Sequence, residues 1–477
     1  MISYRLQNGM KTFICKTIIV KNLEAYKNER YVMSKNRSLL TKQNTIYYFT
    51  IVLISLLVSL TATMFTINSP FAEFSNNPLI DTLKISIFIL ISVLLLFFIV
   101  KNTSKSFISV IFIAFFVRII VVFIMSFFGF IPYQYDNNWD LDAATLLSDW
   151  HSGNIHFNIN NNKVSFYSGL TTVVYYLFGE NPIYMQLLNV FFSTLAIIYL
   201  FKMSRYLFNY KVAFYSSVIM SIWPTYIFFT SMHMREALAI FFLLAFAYYF
   251  MKWLRYFKFK YIILAAFSFL FDMLIRPQNG MLIIISIFPF IVFYAWKYSS
   301  KYMKINLVVF SFFAGLGILF ILQLTGYLRF DFNYIVTEMS YRTGGGSSYL
   351  EWMTYNSLLD LIIYSPIRLV YFVYTPFPWQ ITSMEQAFAF LESVLLIIMS
   401  YHILRGLKVL WETTERKREL FFIIVFCLLG LIANGLVDSN VGTSIRHKLQ
   451  YIFVFFILVS AVKSQIGYKI KRATDNF

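Results

Sequence analysis

The stretch SFISVIFIAFFVRIIVVFIMSFFGFI, residues 106–131, contains one charged side chain, Arg118. Since an α-helix rises about 1.5 Å per residue, this run is long enough as a helix to cross the roughly 30 Å hydrocarbon core of a bilayer. The whole chain has the same character, with 59% hydrophobic residues, 13% charged residues and a mean hydropathy of +0.67. The apolar runs are continuous and lack the alternation of a membrane barrel. We therefore predict an all-α, polytopic helical membrane protein.

Similar runs recur along the chain, and about twelve are long enough to span a membrane. The predicted spans are 46–68, 84–100, 106–131, 183–201, 212–231, 236–251, 261–275, 281–296, 305–325, 386–404, 419–437 and 449–462. They divide the chain into five regions: a basic N-terminal segment (1–45), an added helix pair (46–105), a membrane core (106–325) with a first outer loop (132–182), an outer loop with an interfacial or re-entrant helix (326–385), and C-terminal helices with a tail (386–477).

The distribution of Lys and Arg predicts which loops share a side. With a cytoplasmic N-terminus, the inner segments hold 30 of the 40 Lys and Arg residues and the outer segments hold 8. Positive charge concentrates in cytoplasmic loops of membrane proteins, so both termini are predicted to be cytoplasmic, most simply in a bacterial plasma membrane. The same rule accounts for the net charge of +18 without nucleic acid as a partner.

This topology places the mixed polar clusters on the outer side. The richest is YQYDNNWDLDAATLLSDWHSGN, residues 133–154, which contains four aspartates. The spacing of Leu141, Ala144 and Leu147 indicates a short interfacial amphipathic helix that ends near Gly153. Aspartates at its start are favourable as N-terminal helix residues, because the helix dipole stabilises negative charge there.

Several carboxylates at a lipid boundary exceed what helix capping requires. A carboxylate near hydrocarbon has a pKa raised by desolvation, so it is suited to accept a proton as a general base. The candidate catalytic residues are Asp140, Asp142 and Asp136. Cations on the same side could bind the phosphate of a lipid-linked donor. These candidates are Arg446, Arg276 and Arg235, followed by Lys448 and His447, with Arg342 also on this side.

Three stretches resemble one enzyme family. They are FFVRIIVVFIMSFF (115–128) with the DLD loop that follows it, FYSGLTTVVYYLFGENPIYMQLLNVFFSTLAIIYLFKMSRYLF (166–208) and SIWPTYIFFTSMHMREALAIFFLLAF (221–246). They are similar to the first helix, acidic first loop and following helices of GT-C glycosyltransferases, specifically the family 39-like protein mannosyltransferases and aminoarabinose transferases. The resemblance covers about residues 106–280. The chain departs from the family in its two extra N-terminal spans and in reading DLD where the family has adjacent acids.

The resemblance implies a transferase that moves a sugar from a polyprenyl-phosphate carrier to a glycan, lipid or protein acceptor on the outer face. It implies that Asp140 is the first choice for the base and that Arg446 binds the leaving phosphate. We predict no cofactor and no metal site; the alternatives are a divalent cation bound by Asp149, His151 and His156, or one bound by Asp140 with Asp142. Two other functions fit the composition: a Wzy-like polysaccharide polymerase and a flippase or transporter of a lipid-linked glycan.

Overall fold

A computed structural model describes residues 78–127, 137–159, 162–163, 165–298 and 347–474, together with the isolated positions 50, 53–54, 336–337 and 339. Apart from positions 50 and 53–54, the predicted spans 46–68 and 305–325 lie outside the described residues. All the elements below belong to one compact unit, residues 59–477. The described part of the chain is almost entirely helical, with one two-stranded antiparallel hairpin.

The helices before the middle of the chain are α1 (Pro78–Val100), α2 (Lys105–Phe127), α3 (Asn137–His151), α4 (Phe166–Phe178), α5 (Pro182–Leu207), α6 (Tyr210–Ile222), α7 (Pro224–Ser231), α8 (Glu236–Tyr256), α9 (Phe259–Ile275) and α10 (Pro277–Tyr298). The later helices are α11 (Leu358–Tyr374), α12 (Met384–Thr413), α13 (Lys417–Val437), α14 (Val441–Lys448) and α15 (Phe453–Thr474). The hairpin strands are β1 (Asn158–Ile159) and β2 (Asn162–Lys163).

Six of these helices are long and apolar enough to cross a membrane: α1, α2, α5, α8, α12 and α13. Two bent pairs, α6 with α7 and α14 with α15, raise the number to eight if each pair is one span. The described residues therefore support a helical multi-pass protein with six to eight candidate spans, a coarser result than the twelve predicted.

The predicted span 212–231 is broken in two, with a 61° bend between α6 and α7. Pro224 causes the break, because proline disfavours helical backbone at the preceding residue, and Trp223 is extended at ψ 114°. A broken helix leaves carbonyl groups without partners. Arg118 of α2, which is fully buried, donates to the carbonyl of Ser221 at 3.4 Å and to Thr230 Oγ1 at 3.4 Å. Arg118, the single charged residue of span 106–131, therefore hydrogen-bonds polar groups on both sides of the break between α6 and α7.

A second buried arginine, Arg368, donates hydrogen bonds to the C-terminal end of α13. Arg368 of α11 donates to the carbonyl oxygens of Gly435 (3.2 Å) and Asp438 (3.3 Å), where α13 ends, and to Ser439 Oγ (2.5 Å). Helix α11, which lies within the predicted outer loop 326–385, is therefore held against α13 and packs along it.

The packing separates a buried core from an apolar exterior. Helix α8 packs against α9 and α5, α5 packs against α6, and α15 packs against α12 and α6. Helices α5 and α8 are mostly buried, whereas α1 and α12 expose apolar faces. Leu391 and Leu404 of α12 are 59% and 74% exposed. Exposed leucines along two long helices are expected of a protein whose solvent is lipid.

Loops at the two ends of the helices form separate groups. At one end, Ser104 bonds to Tyr210, and the guanidinium of Arg416 lies 3.9 Å from the ring centroid of Tyr206. These contacts join connectors that the charge distribution assigned to the inner side. At the opposite end, contacts join the segments 137–159, 232–236, 275–280, 347–350 and 438–446. The polar clusters of the sequence therefore meet at one end.

Close helix packing at Gly406 gives a first testable prediction. A Cβ added to Gly406 of α12 would lie 2.2 Å from Cγ1 of Val462 in α15. We expect Gly406→Ala to destabilise the protein by about 1–3 kcal/mol, because overpacking forces the helices apart. Thermal unfolding of the detergent-solubilised protein measures the change. Gly442→Ala is the matched control, since its added Cβ would meet Asn440 Oδ1 at 3.4 Å. Equal unfolding temperatures for the two variants would contradict the tight α12–α15 contact.

Candidate active site

The acidic first loop folds into α3, and Asp140 lies in its first turn. Residues three, four and seven positions apart share a helix face. Asp140 therefore shares a face with Ala143 and Leu147, which are buried where α3 packs against α4. On α4, Tyr175 Oη donates a 2.5 Å hydrogen bond to Asp140 Oδ1. The apolar spacing of α3 thus directs one carboxylate into the protein.

The other aspartates of this loop have different surroundings. Asp142 is half-buried and makes no hydrogen bond or ion pair within the described residues. Asp136 lies outside the described residues. Asp149 Oδ2 lies 3.5 Å from His156 Nε2, and His151 packs on the ring of Tyr176. Among the described residues, no group of three His, Cys, Asp or Glu side chains is arranged to bind a metal.

Burial determines the electrostatics of Asp140. Burial raises the pKa of its carboxyl above the ordinary value, the hydrogen bond from Tyr175 lowers it, and the charge of Glu180 raises it. His233 Nδ1 lies 3.8 Å from Asp140 Oδ1. Burial lowers the pKa of His233 to about 3, so this imidazole is neutral at pH 7 and the contact is not an ion pair. A carboxylate with a raised pKa beside a neutral histidine is a good proton acceptor.

His233 belongs to the short connection between α7 and α8, which buried side chains hold in place. Thr171 Oγ1 lies 3.1 Å from His233 Nε2. Asn189 of α5 donates to the carbonyl oxygens of Met232 (2.6 Å) and Met234 (2.8 Å). The backbone of this connection is therefore fixed on both sides of the histidine.

The same connection leads into a cluster of arginines. Glu236, the first residue of α8, is fully buried. Its Oε1 accepts from Arg276 at 2.7 Å and from Nε and an Nη of Arg446 at 3.0 and 2.9 Å. Arg235 adds a third positive charge close to the carboxylate. With three guanidinium groups and one carboxylate, the cluster has an excess of positive charge and attracts anions.

The arginines differ in exposure. The side chain of Arg276 is 1% exposed, whereas that of Arg446 is 21% exposed. Arg235 is half-buried, and its guanidinium lies 4.9 Å from the ring centroid of Trp139. Trp139 immediately precedes Asp140. The carboxylate and the arginine cluster are thus neighbours, joined through residues 233–236 and the Arg235–Trp139 stack.

The remaining predicted phosphate ligands have other partners. Lys448, although adjacent to the cluster in sequence, is buried and donates to the carbonyl oxygens of Val373 (3.1 Å) and Thr375. His447 Nδ1 lies 2.6 Å from Asp438 Oδ2. Both side chains hold α14 against neighbouring segments. Of the five predicted cations, the structure brings together Arg235, Arg276 and Arg446.

Sequence reasoning missed several members of this site. Tyr175 carries no signal, because the chain has 34 tyrosines. His233 and Glu236 are visible in the sequence as the ends of HMRE (233–236), between the predicted spans that begin at residues 212 and 236, but their contacts with Asp140 and with the arginines depend on residues distant in sequence. A His and a Glu beside an Arg in a short outer connection were the only available indication.

Comparison with known proteins gives a family match for part of the chain. Residues 166–319 match a family model described as dolichyl-phosphate-mannose-protein mannosyltransferase. This match confirms the resemblance to GT-C glycosyltransferases over that part of the chain. It includes Tyr175, His233, Glu236 and Arg276, whereas Asp140 and Arg446 lie outside it. No curated protein matches the chain.

Two solved structures are reported as similar to the chain. One is ArnT from Cupriavidus metallidurans bound to undecaprenyl phosphate, with 12% identity over 77% of this chain and a TM-score of 0.43. The other is the archaeal oligosaccharyltransferase AglB from Archaeoglobus fulgidus in complex with an inhibitory peptide and a dolichol-phosphate, with 13% identity over 72% of this chain and a TM-score of 0.42. The alignments cover 63% of the ArnT chain and 48% of the AglB chain.

Proposed function

We propose that the protein is a GT-C-type membrane glycosyltransferase that transfers a sugar from a polyprenyl-phosphate carrier to an acceptor. One observation carries this proposal: residues 233–236 connect a half-buried carboxylate, Asp140, to a cluster of three arginines that attracts anions. Glycosyl transfer from a phosphate donor requires both functions side by side, a base for the acceptor and positive charge for the leaving group. The match of residues 166–319 to a mannosyltransferase family supports the same reaction class.

In the proposed reaction, Asp140 removes the proton of an acceptor hydroxyl while the hydroxyl oxygen attacks the anomeric carbon of the sugar. The bond from that carbon to the phosphate oxygen breaks, and the polyprenyl phosphate leaves with the electron pair. Arg446 and Arg235, which are partly exposed, bind the phosphate, and Arg276 holds Glu236 and Arg446 in place. Fixed positive charge at the leaving phosphate stabilises the charge that develops in the transition state.

The setting follows from the topology. The site lies at the end of the helices opposite the Lys- and Arg-rich connectors. Because such connectors are typically cytoplasmic, the proposed site would lie at the outer face, with both termini cytoplasmic. The donor's polyprenyl chain then lies among membrane lipids, and a glycan, lipid or protein acceptor approaches from the outer solution. Helix α3 would lie at the interface above the carrier.

A transfer assay tests this function. Purified full-length protein is placed in liposomes. The donors are undecaprenyl-phosphate-linked sugars in which the sugar is radiolabelled, and the acceptors come from a glycolipid and glycan extract of the envelope. A transferase releases undecaprenyl phosphate and moves label into an acceptor, which gains the mass of one sugar. A flippase changes only the side on which the donor is found, and a polymerase requires a diphosphate-linked repeat unit. Either of those two outcomes, without transfer of label, would overturn the proposal.

The hydrogen bond from Tyr175 to Asp140 predicts a change in the pH dependence of transfer. The base acts as a carboxylate, so activity falls as pH drops through the pKa of Asp140. The tyrosine stabilises the charged form and lowers this pKa. We expect Tyr175→Phe to move the acidic limb of kcat/KM to higher pH by about one unit, since a hydrogen bond to a charged group contributes about 1.5–3 kcal/mol. The exposed neighbour Tyr176→Phe is the control. An unmoved limb would show that Asp140 is not the titrating base.

A further inference from the structure

A cleft lies between α6, α12 and α15, at the end of the helices opposite Asp140. Its volume is about 490 Å³, within the range of roughly 300–1,000 Å³ that is usual for sites binding small organic ligands. The first turn of α6 contributes Lys211, and α15 contributes Lys463 beyond the predicted span 449–462. The proposed transfer reaction does not use this cleft.

The polar side chains of the cleft gather positive charge. Lys211 and Lys463 are exposed at its rim, and His402 of α12 is half-buried. Neither Asp nor Glu lines the cleft in the described part of the chain. Ser460 is 5% exposed, and its buried hydroxyl has no hydrogen-bond partner among the described residues. A buried donor without a partner is costly, so Ser460 and the two lysines together indicate an anionic, hydrogen-bond-accepting ligand.

The other walls are apolar and face outward. They are formed by Tyr215, Ile219, Leu395, Ile398, Met399 and Val459. Tyr215, Leu395 and Ile398 are 49%, 44% and 48% exposed. On a helix surface that faces hydrocarbon, such a groove accepts an alkyl chain that runs along the helices while its polar end reaches the lysines. The ligand therefore combines an anionic head with an apolar tail.

We propose that this cleft binds an anionic phospholipid of the bilayer, with its phosphate between Lys211 and Lys463 and an acyl chain against α12. A phospholipid fits because the cleft opens to the membrane-facing exterior at the basic end of the helices. Basic pockets between membrane helices on the cytoplasmic side bind anionic headgroups. The neutral side chains of the apolar wall distinguish this site from a simple basic surface, because they accommodate the chain as well as the head.

The test measures lipid bound to the full-length protein by native mass spectrometry, with phosphatidylglycerol titrated against phosphatidylcholine. Each lysine near a phosphate contributes about fivefold in affinity, so we expect Lys211→Gln/Lys463→Gln to weaken phosphatidylglycerol binding about thirtyfold. Lys258→Gln/Lys260→Gln removes the same charge from exposed positions on α9 and its N-cap, and it should leave binding unchanged. Ile398→Trp, which fills the groove without altering charge, should also weaken binding.

Three results would overturn the proposal. They are equal binding of both phospholipids by the wild type, retention of phosphatidylglycerol by the Lys211/Lys463 variant, and a loss of binding in the control as large as in that variant. A separate titration uses undecaprenyl phosphate. If the wild type binds undecaprenyl phosphate much more tightly than phosphatidylglycerol and the Lys211/Lys463 variant loses that binding, the cleft is a site for the carrier and the phospholipid proposal is overturned. Because the assay measures binding alone, its outcome is independent of whether the protein transfers sugar.

Discussion

Replacing Asp140 with asparagine is expected to lower the rate of sugar transfer about a thousandfold. Asparagine preserves the shape of the side chain but cannot accept the proton of the acceptor, and general base catalysis contributes roughly 10²–10⁴ in rate. The hydrogen bond from Tyr175 Oη can persist, because the amide oxygen of asparagine also accepts. The measurement is kcat for transfer of labelled sugar in liposomes, with the amount of protein in the membrane determined in parallel.

Asp142→Asn is the matched comparison for this variant. It removes an identical charge two residues away, from a side chain that makes no hydrogen bond or ion pair within the described residues. We expect it to lower kcat less than fivefold, as roughly 1 kcal/mol of indirect electrostatic change permits. A severe loss for Asp142→Asn together with an active Asp140→Asn variant would move the base to Asp142.

Arg446→Ala is expected to reduce kcat about 10²- to 10³-fold, with a much smaller effect on the unfolding temperature. Removing one preorganised group that stabilises charge in the transition state typically lowers kcat by about this factor. Arg446 is 21% exposed and is the most accessible side chain bonded to Glu236. After its removal, Glu236 keeps its 2.7 Å bond to Arg276, so the buried carboxylate remains paired. Steady-state kinetics and thermal unfolding of the same preparation separate the two effects.

Two further variants distinguish a catalytic role of Arg446 from a structural one. Arg446→Lys keeps the charge but loses the planar fork that bonds Glu236 through two nitrogens, so we expect partial activity. Glu236→Gln leaves Arg276 buried without a counter-ion, which costs about 3–5 kcal/mol, so the protein should be destabilised. If Arg446→Ala lowered the unfolding temperature as much as Glu236→Gln, its role would be structural, and the proposed phosphate site would lose its main member.

The periodicity and charge of the sequence were sufficient to predict helices and the loops that meet. Span 236–251 corresponds to α8 and span 419–437 to α13, because unbroken apolar runs leave no alternative to helix in lipid. The break at Pro224 was not predicted, although proline was visible there. A hydropathy pattern averages over such a position, whereas the orientation of α7 depends on Arg118 from a different helix.

The site was predictable in the same limited sense. Asp140 and the three arginines could be selected because charged residues are rare in this chain and their loops fall on one side. The separation of Arg446 from Lys448 could not be predicted, although they are two residues apart. One bonds Glu236 and the other bonds carbonyl groups between α11 and α12, a difference set by the rotation of α14 in its tertiary contacts.

The connection His233–Glu236 has a mechanical consequence. It is four residues long, Asn189 fixes its backbone, His233 contacts Asp140, and Glu236 holds two arginines. In the proposed reaction, a bound phosphate that shifts the arginines is therefore expected to shift His233 as well, because the connection between them is short and its backbone is held. The proposed base and the proposed phosphate site would then be coupled through these four residues, and binding of the carrier would adjust the surroundings of Asp140.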